Sequence, residues 1–365
     1  MMDRLAGSYA EARSRFLAAA KGAGAQIATE PHPLVGLQGE DLGIDVATIG
    51  SADAESAVIV VSGTHGVEGY LGSAIQTGHL ESLETAGGEA TAPGARARAN
   101  APRLVFIHAL NPYGFSWVRR VNEDNVDLNR NFIDWSGTVA ANEQYSEIAE
   151  LLVPGDWSEQ TQERTLQQLM ALLDEFGLEH MQSVVSSGQW HHPEGIFYGG
   201  RAPTWSNEAL LRIIPRAVGN SGQIAVIDLH TGLGEWGHGE LISSQPPTTE
   251  RFARQRRWWP DVVSLLDGSS VSAAVQGEWT ARLPDMVPGV EDTSITIEYG
   301  TVDIISVVQA LRADAALHAH GDPRSAEGDA IRSQVRSAFL DDDPGWLHRC
   351  RTRYDEVFAA AVQHL

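Results

Sequence analysis

Apolar positions in this chain follow two spacings. Near the N-terminus they recur at helical intervals, at Leu5, Tyr9, Ala12, Phe16 and Ala19. That predicts an amphipathic helix over 3–22, closed by Gly22 and Gly24. Further on, short unbroken apolar runs at 57–61, 104–107 and 224–229 predict buried strands. Residues 41–49 read as an edge strand and 293–298 as another strand. Helical stretches are predicted at 69–84, 140–185 (with a turn near Pro154 and Gly155), 249–266 and 302–318. The Gly/Ala/Pro/Arg stretch 85–101 and the aromatic-rich stretch 188–206 read as loops. Strands alternating with helices predict an α/β fold with a mostly parallel sheet covered on both faces. In such sheets, sites gather beyond the C-terminal ends of the strands.

Composition narrows the function classes. The 365 residues carry 26 basic and 48 acidic side chains, a net charge of −22. Nucleic acid and anionic membranes are therefore not expected as partners, because both require a basic surface. Lys21 is the only lysine, which points to genome composition rather than mechanism. A single cysteine, Cys350, excludes an intrachain disulfide, and it falls in a late Arg-rich helical stretch away from every motif. The N-terminal segment lacks the apolar core of a signal peptide. No run approaches the roughly 18 apolar residues of a membrane span. A cytoplasmic location is the expectation, and a homo-oligomer is left open.

Four short segments carry chemistry. His65-Gly-Val-Glu68 puts an imidazole and a carboxylate at a strand-to-helix turn, where both could hold one metal ion. His230, directly after a buried strand, would complete a His/Glu/His set, with Asp228 as a supporting partner. Asn129 and Arg130, within Val126-Asp-Leu-Asn-Arg-Asn-Phe132, could clamp a carboxylate. Arg119 and Arg120 lie upstream, and an Arg near a metal could stabilise an oxyanion. Glu298, at a strand end before Tyr-Gly-Thr, could serve as general base. Singly, each has a plain structural reading: a strand-end histidine, a capped turn, solvated surface arginines, a helix N-terminal acid. Their order along one chain favours the chemical reading.

In that order, H-x-x-E, Asn-Pro-x-Gly, R…DLNRNF, D-L-H and E-x-G-T, the chain resembles the zinc carboxypeptidases of the carboxypeptidase A clan. The resemblance spans residues from about 40 to about 312. Within the clan it looks closest to a bacterial subfamily of unassigned function with HGVEG, GIFYGG and DLHTGLG segments. The resemblance implies a three-layer α/β/α fold around a mixed, mostly parallel sheet, forming a single catalytic domain over 1–365. It implies one zinc ion per chain on His65, Glu68 and His230. It further implies Asn129 and Arg130 as carboxylate binders, Glu298 as base, and Arg120 in preference to Arg119 as electrophile.

Three departures shape the expected substrate. No Tyr occurs between residues 231 and 297, where the clan carries a substrate-capping Tyr, and Tyr198 is the candidate substitute. The segment between Arg130 and His230 is long, so an insertion of helices and aromatic loop is expected at about 138–206. It could form a lid with an aromatic rim of Trp190, His191, His192, Phe197 and Tyr198, or be an ordinary insertion. No secretion signal or pro-segment is evident. These features favour an amide bond beside a free carboxylate in a small peptide. The alternatives are an aspartoacylase-type deacylase of N-acyl amino acids, and a non-catalytic metal- or peptide-binding module.

Overall fold

A computed structural model describes residues 5–85, 101–139 and 141–365. Its strands are β1 (Gln26–Val35), β2 (Asp41–Ile49), β3 (Ser56–Ser62), β4 (Arg103–His108), β5 (Gln223–Trp236), β6 (Gly239–Ser243), β7 (Val263–Ser264) and β8 (Glu291–Gly300). Its helices are α1 (Tyr9–Gly22), α2 (Gly69–Thr85), α3 (Pro112–Trp117), α4 (Glu143–Leu152), α5 (Glu159–Phe176), α6 (Leu178–Ser186), α7 (Trp205–Val218), α8 (Glu250–Trp258), α9 (Leu283–Met286), α10 (Ile304–His320), α11 (Ala326–Phe339) and α12 (Pro344–His364).

Among the described residues the strands form one sheet in the order β1-β2-β4-β3-β5-β8-β6-β7. Its centre, β4-β3-β5-β8, is parallel. β1 and β2 join one side antiparallel, and β6 meets β8 antiparallel on the other. The central runs are continuous in apolar residues because both faces are covered. Along β3, Val58 and Val60 face a core shared with α1, α2, α10, α11 and α12. Ala57, Ile59 and Val61 face the opposite core, under α7 and α9. This is the expected three-layer arrangement with a mixed, mostly parallel sheet.

Several predicted elements shift. The first helix starts at Tyr9 rather than residue 3, because the Ser8 side chain caps it by accepting from the Glu11 N–H. The strand at 41–49 is interior to the sheet. The edge is β1, where Pro31 and Pro33 cost no ladder hydrogen bond on the open side. The helix expected over 249–266 ends at Trp258, just before Pro260, and the chain turns into β7. The stretch 140–185 is three helices, broken a second time at Gly177, whose φ of 82° lies in the left-handed region. Residues 86–100 of the expected loop at 85–101 lie outside the described residues. No helix among the described residues is long and apolar enough to cross a membrane.

Candidate metal centre

The site forms where β3, β5 and β8 end. β3 runs into the His65–Glu68 turn, and that turn is pinned from two sides. The N–H groups of Gly66 and Val67 donate to the carbonyls of Arg120 and Arg119, at 3.1 and 2.8 Å. Gly66 is required here, since a Cβ would lie 2.0 Å from the Gly114 carbonyl carbon. Val118 ends α3 in the left-handed region at φ 56°, a strained position for a β-branched residue. The chain past it splits the two arginines. Arg119 turns into a buried ion pair with Asp314 of α10, at 2.9 Å. Arg120 lines the cleft over the site.

His65, Glu68 and His230 are 3, 1 and 2% exposed, so three polar groups share a nearly dry pocket. The Glu68 Oε1 atom lies 2.9 Å from His65 Nδ1. Its Oε2 atom lies 3.0 Å from His230 Nδ1. The two Nδ1 atoms are 3.1 Å apart. The far nitrogens have carboxylate partners: His65 Nε2 meets Asp127 Oδ1 at 3.2 Å, and His230 Nε2 meets Asp228 Oδ2 at 2.8 Å. Those carboxylates keep the protons on the Nε2 atoms, so both Nδ1 lone pairs and the Glu68 carboxylate point into one space. With Arg120 Nη1 and the Thr231 N–H donating to Glu68 from outside it, a space faced by two Nδ1 lone pairs and a carboxylate has the chemistry of a cation site. Two imidazole nitrogens and a carboxylate suit zinc. Failing a cation, a proton must fill that space. Burial alone would lower the His230 pKa, but Asp228 and Glu68 hold it well above the ordinary value. Burial likewise works to raise the Glu68 carboxyl, and the facing His65 and His230 rings hold it below the usual carboxylate range.

Asp228 is itself fixed by the Thr64 hydroxyl at 2.9 Å and the Trp279 indole N–H at 2.7 Å. Asp127 caps the short 3-10 turn at 128–130 by accepting from the Asn129 N–H at 3.0 Å. It also accepts from Arg120 Nε at 2.9 Å, while Arg120 Nη1 reaches Glu68 at 3.1 Å. Burial disfavours the Arg120 charge, but Asp127 and Glu68 outweigh it and raise its pKa.

A cleft opens over the centre and includes Arg120, Asn129, Arg130 and Glu298 in its wall. Arg130 Nε and Nη2 donate to the Ser186 carbonyl at the end of α6, and Nη1 donates to the Asn129 carbonyl. Two of its five N–H donors remain for a ligand. Gly277 packs against it, with no room for a Cβ: the Arg130 carbonyl oxygen would lie 2.5 Å away. Glu298 Oε1 accepts from the Leu233 N–H at 3.0 Å. Burial, and next the Glu68 charge, push the Glu298 carboxyl up to about 8.

Tyr198 does not take the position expected of a capping side chain. It lies outside the cleft wall, and its carbonyl accepts from the Asp127 N–H at 2.8 Å. Phe197 lines the cleft instead, with a left-handed φ of 56°. Both Arg120 and Arg130 stand 5.4 Å over its ring. Trp190, His191, His192 and Tyr198 of the expected rim are not part of that wall. Three further residues of the cleft are assigned no role from the sequence. Glu278 is a buried acid near Arg130, its carboxyl raised by burial. Thr231 follows His230, and its buried hydroxyl has no partner. Leu233 orients Glu298. Thr231 and Leu233 fall within the DLHTGLG segment, whereas Glu278 lies in no motif.

Residues 5–352 match the family described as "Protein of unknown function (DUF2817)". The chain belongs to that family. No curated protein matches it in sequence. Its fold is similar to that of thrombin activatable fibrinolysis inhibitor, at 13% identity and a TM-score of 0.52, over 100% of this chain and 76% of that one. Weaker likenesses include the carboxypeptidase A from Helicoverpa armigera (14% identity, TM-score 0.45, 93% of this chain and 75% of that one). Another is a metallo-carboxypeptidase from Burkholderia cenocepacia (12%, 0.44, 96% and 68%). This DUF2817 chain thus has a carboxypeptidase-like fold, with a buried His-Glu-His triad resembling the zinc site of that fold.

Proposed function

We propose that this DUF2817 protein is a zinc-dependent hydrolase that cleaves an amide bond next to a free carboxylate. The observation that carries the reading is the convergence of His65 Nδ1, His230 Nδ1 and the Glu68 carboxylate, with a second, unligated carboxylate, Glu298, in the same cleft wall. His65, Glu68 and His230 would hold the zinc, which when bound supplies a Lewis acid and an acidified water.

The chain's own groups supply the rest. Arg130 and Asn129 hold the substrate carboxylate, Arg130 through its two remaining donors. Arg120 has its Nη2 donors left after Asp127 and Glu68 and stabilises the oxyanion as it forms. Glu298 takes the proton of the attacking water and passes it to the leaving amine. Phe197 shields both guanidinium groups from water, which strengthens their electrostatic effect. Peptides and N-acyl amino acids both present an amide beside a carboxylate.

The test is a panel of dipeptides and N-acyl amino acids, each paired with its carboxamide, incubated with zinc-loaded protein. Chelator-sensitive hydrolysis of the free acids is expected. Turnover unaffected by chelation would refute the reading.

A further inference from the structure

The cleft does not end at the catalytic groups. Beyond it lies a second, partly open apolar pocket between α5, α6 and α10. The two spaces share Gln182, Ser186, Ile304 and Val308 as walls, so they adjoin. The second wall holds no ionisable side chain and is built from residues such as Leu166, Leu169, Leu173 and Met181. Leu178 and Met170, at its mouth, are exposed. In a chain of net charge −22, an uncharged apolar space set beside a cleft with two arginines is unusual. Ser186 marks the junction: its carbonyl holds Arg130, and it lines both spaces. The two adjoining spaces therefore offer a charged, hydrogen-bonding end that holds Arg120 and Arg130 with Glu278 and Glu298, and an apolar end.

We infer that the α5–α6–α10 cavity takes an extended aliphatic chain carried by the substrate, so that the preferred substrates are amphiphiles with a carboxylate head. This rests on the hydrolase reading above and narrows it. The chain could enter as the acyl group of an N-acyl amino acid or as a long aliphatic amino acid side chain. Burial of each methylene raises kcat/KM roughly fourfold until the cavity is filled.

Two substrate series on zinc-loaded protein separate the sources. One lengthens the acyl group from acetyl to dodecanoyl on one amino acid. The other lengthens the side chain under a constant acetyl group. A steady rise in kcat/KM along either series supports the proposal and names the source, and a flat response in both overturns it. Leu169→Trp and Leu173→Trp fill the distal cavity from half-buried positions. Both should abolish the length preference and leave turnover of the shortest substrate intact. If no acyl amino acid is hydrolysed, the hydrolase reading fails, and the cavity is judged by binding alone. Dodecanoate, but not acetate, should then raise the melting temperature of the wild type and not of Leu169→Trp. Equal effects of both acids would overturn the proposal. Leu169→Trp changing self-association while sparing chain-length preference would also overturn it, by assigning the face to a second copy.

Discussion

His230 and Glu298 are register partners on the adjacent parallel strands β5 and β8. Directly paired residues share a face of the sheet, so one β5–β8 step sets the candidate metal ligand His230 beside the proposed base Glu298. The backbone N–H of Leu233, three residues beyond His230, then fixes that carboxylate. The proposed division of labour between ligand and base would therefore follow from strand register.

Glu298→Gln should abolish turnover and leave zinc content unchanged. The amide keeps the shape and can still be placed by the Leu233 N–H after a flip, but it can neither accept nor deliver the proton. A loss of about 10²- to 10⁴-fold in kcat is expected. Metal analysis with kinetics checks it. A variant keeping more than about a tenth of wild-type kcat rules out Glu298 as base.

His230→Ala should lose zinc outright. Asp228→Asn, which keeps the contacts from Thr64 and Trp279 but weakens the hold on His230 Nε2, should lower zinc affinity by about 10- to 100-fold. Competition against a chelator of known affinity measures both. Equal affinity in Asp228→Asn and wild type would show that Asp228 only supports packing.

The two neighbouring arginines should fail in different ways. Arg119→Ala leaves Asp314 buried without its partner, and breaking such a pair costs about 3–5 kcal/mol of stability. Arg120→Ala should instead lower kcat by about 10²- to 10³-fold, the range for loss of one oxyanion donor. Denaturant midpoints and kcat of the two variants separate the roles. Similar kcat losses in both, at similar stability, contradict the assignment.

Arg130→Met should remove discrimination between a free carboxylate and its carboxamide. Loss of a charge-assisted hydrogen bond costs about 1.5–3 kcal/mol, or about 10- to 100-fold in kcat/KM for the acid alone. The measurement is the ratio of acid to amide kcat/KM. A ratio unchanged from wild type would move the carboxylate site elsewhere in the cleft.

Which parts of this were legible in the sequence follows from what each element buries. β3, β4 and β5 are covered on both faces and write themselves as apolar runs. His65, Glu68 and His230 were found because they stand at the ends of such runs. β1 is an edge strand with Pro31 and Pro33 and exposed Ile27, Leu34 and Val35, so it carries no strand pattern. Glu278 sits in the irregular segment before the turn at 280–282, where only tertiary packing brings it to Arg130. Tyr198 and Phe197 are adjacent in sequence, and no periodicity in an irregular loop tells which faces the cleft.

Stability should fall steeply between about pH 6.5 and pH 4, driven in part by three imidazoles away from the metal centre, two buried and one partly buried. Burial, with Arg351 nearby, lowers His79 to about 3. Burial, with Arg13 adding to it against Asp45, lowers His108 to about 4. Burial, with Arg119 and Arg332, lowers His318 to about 3. Each is depressed from an ordinary value of 6.5. The unfolded chain therefore binds more protons than the folded one throughout this window, and acid favours unfolding. Their contribution is fully present above the unfolded value and is lost as pH falls toward the folded values. Each group adds up to about 1.4 kcal/mol per pH unit. His79 is the most informative position. Its ring packs on Phe358 at 4.3 Å between centroids, and its Nδ1 is buried without a partner. His79→Phe keeps the aromatic contact and removes the titration. Its stability should fall less steeply with acid than that of the wild type, by about one proton's worth of slope. Urea unfolding at intervals from neutral pH down to about pH 4.5 measures this, and parallel curves for the two proteins would show that His79 titrates alike folded and unfolded.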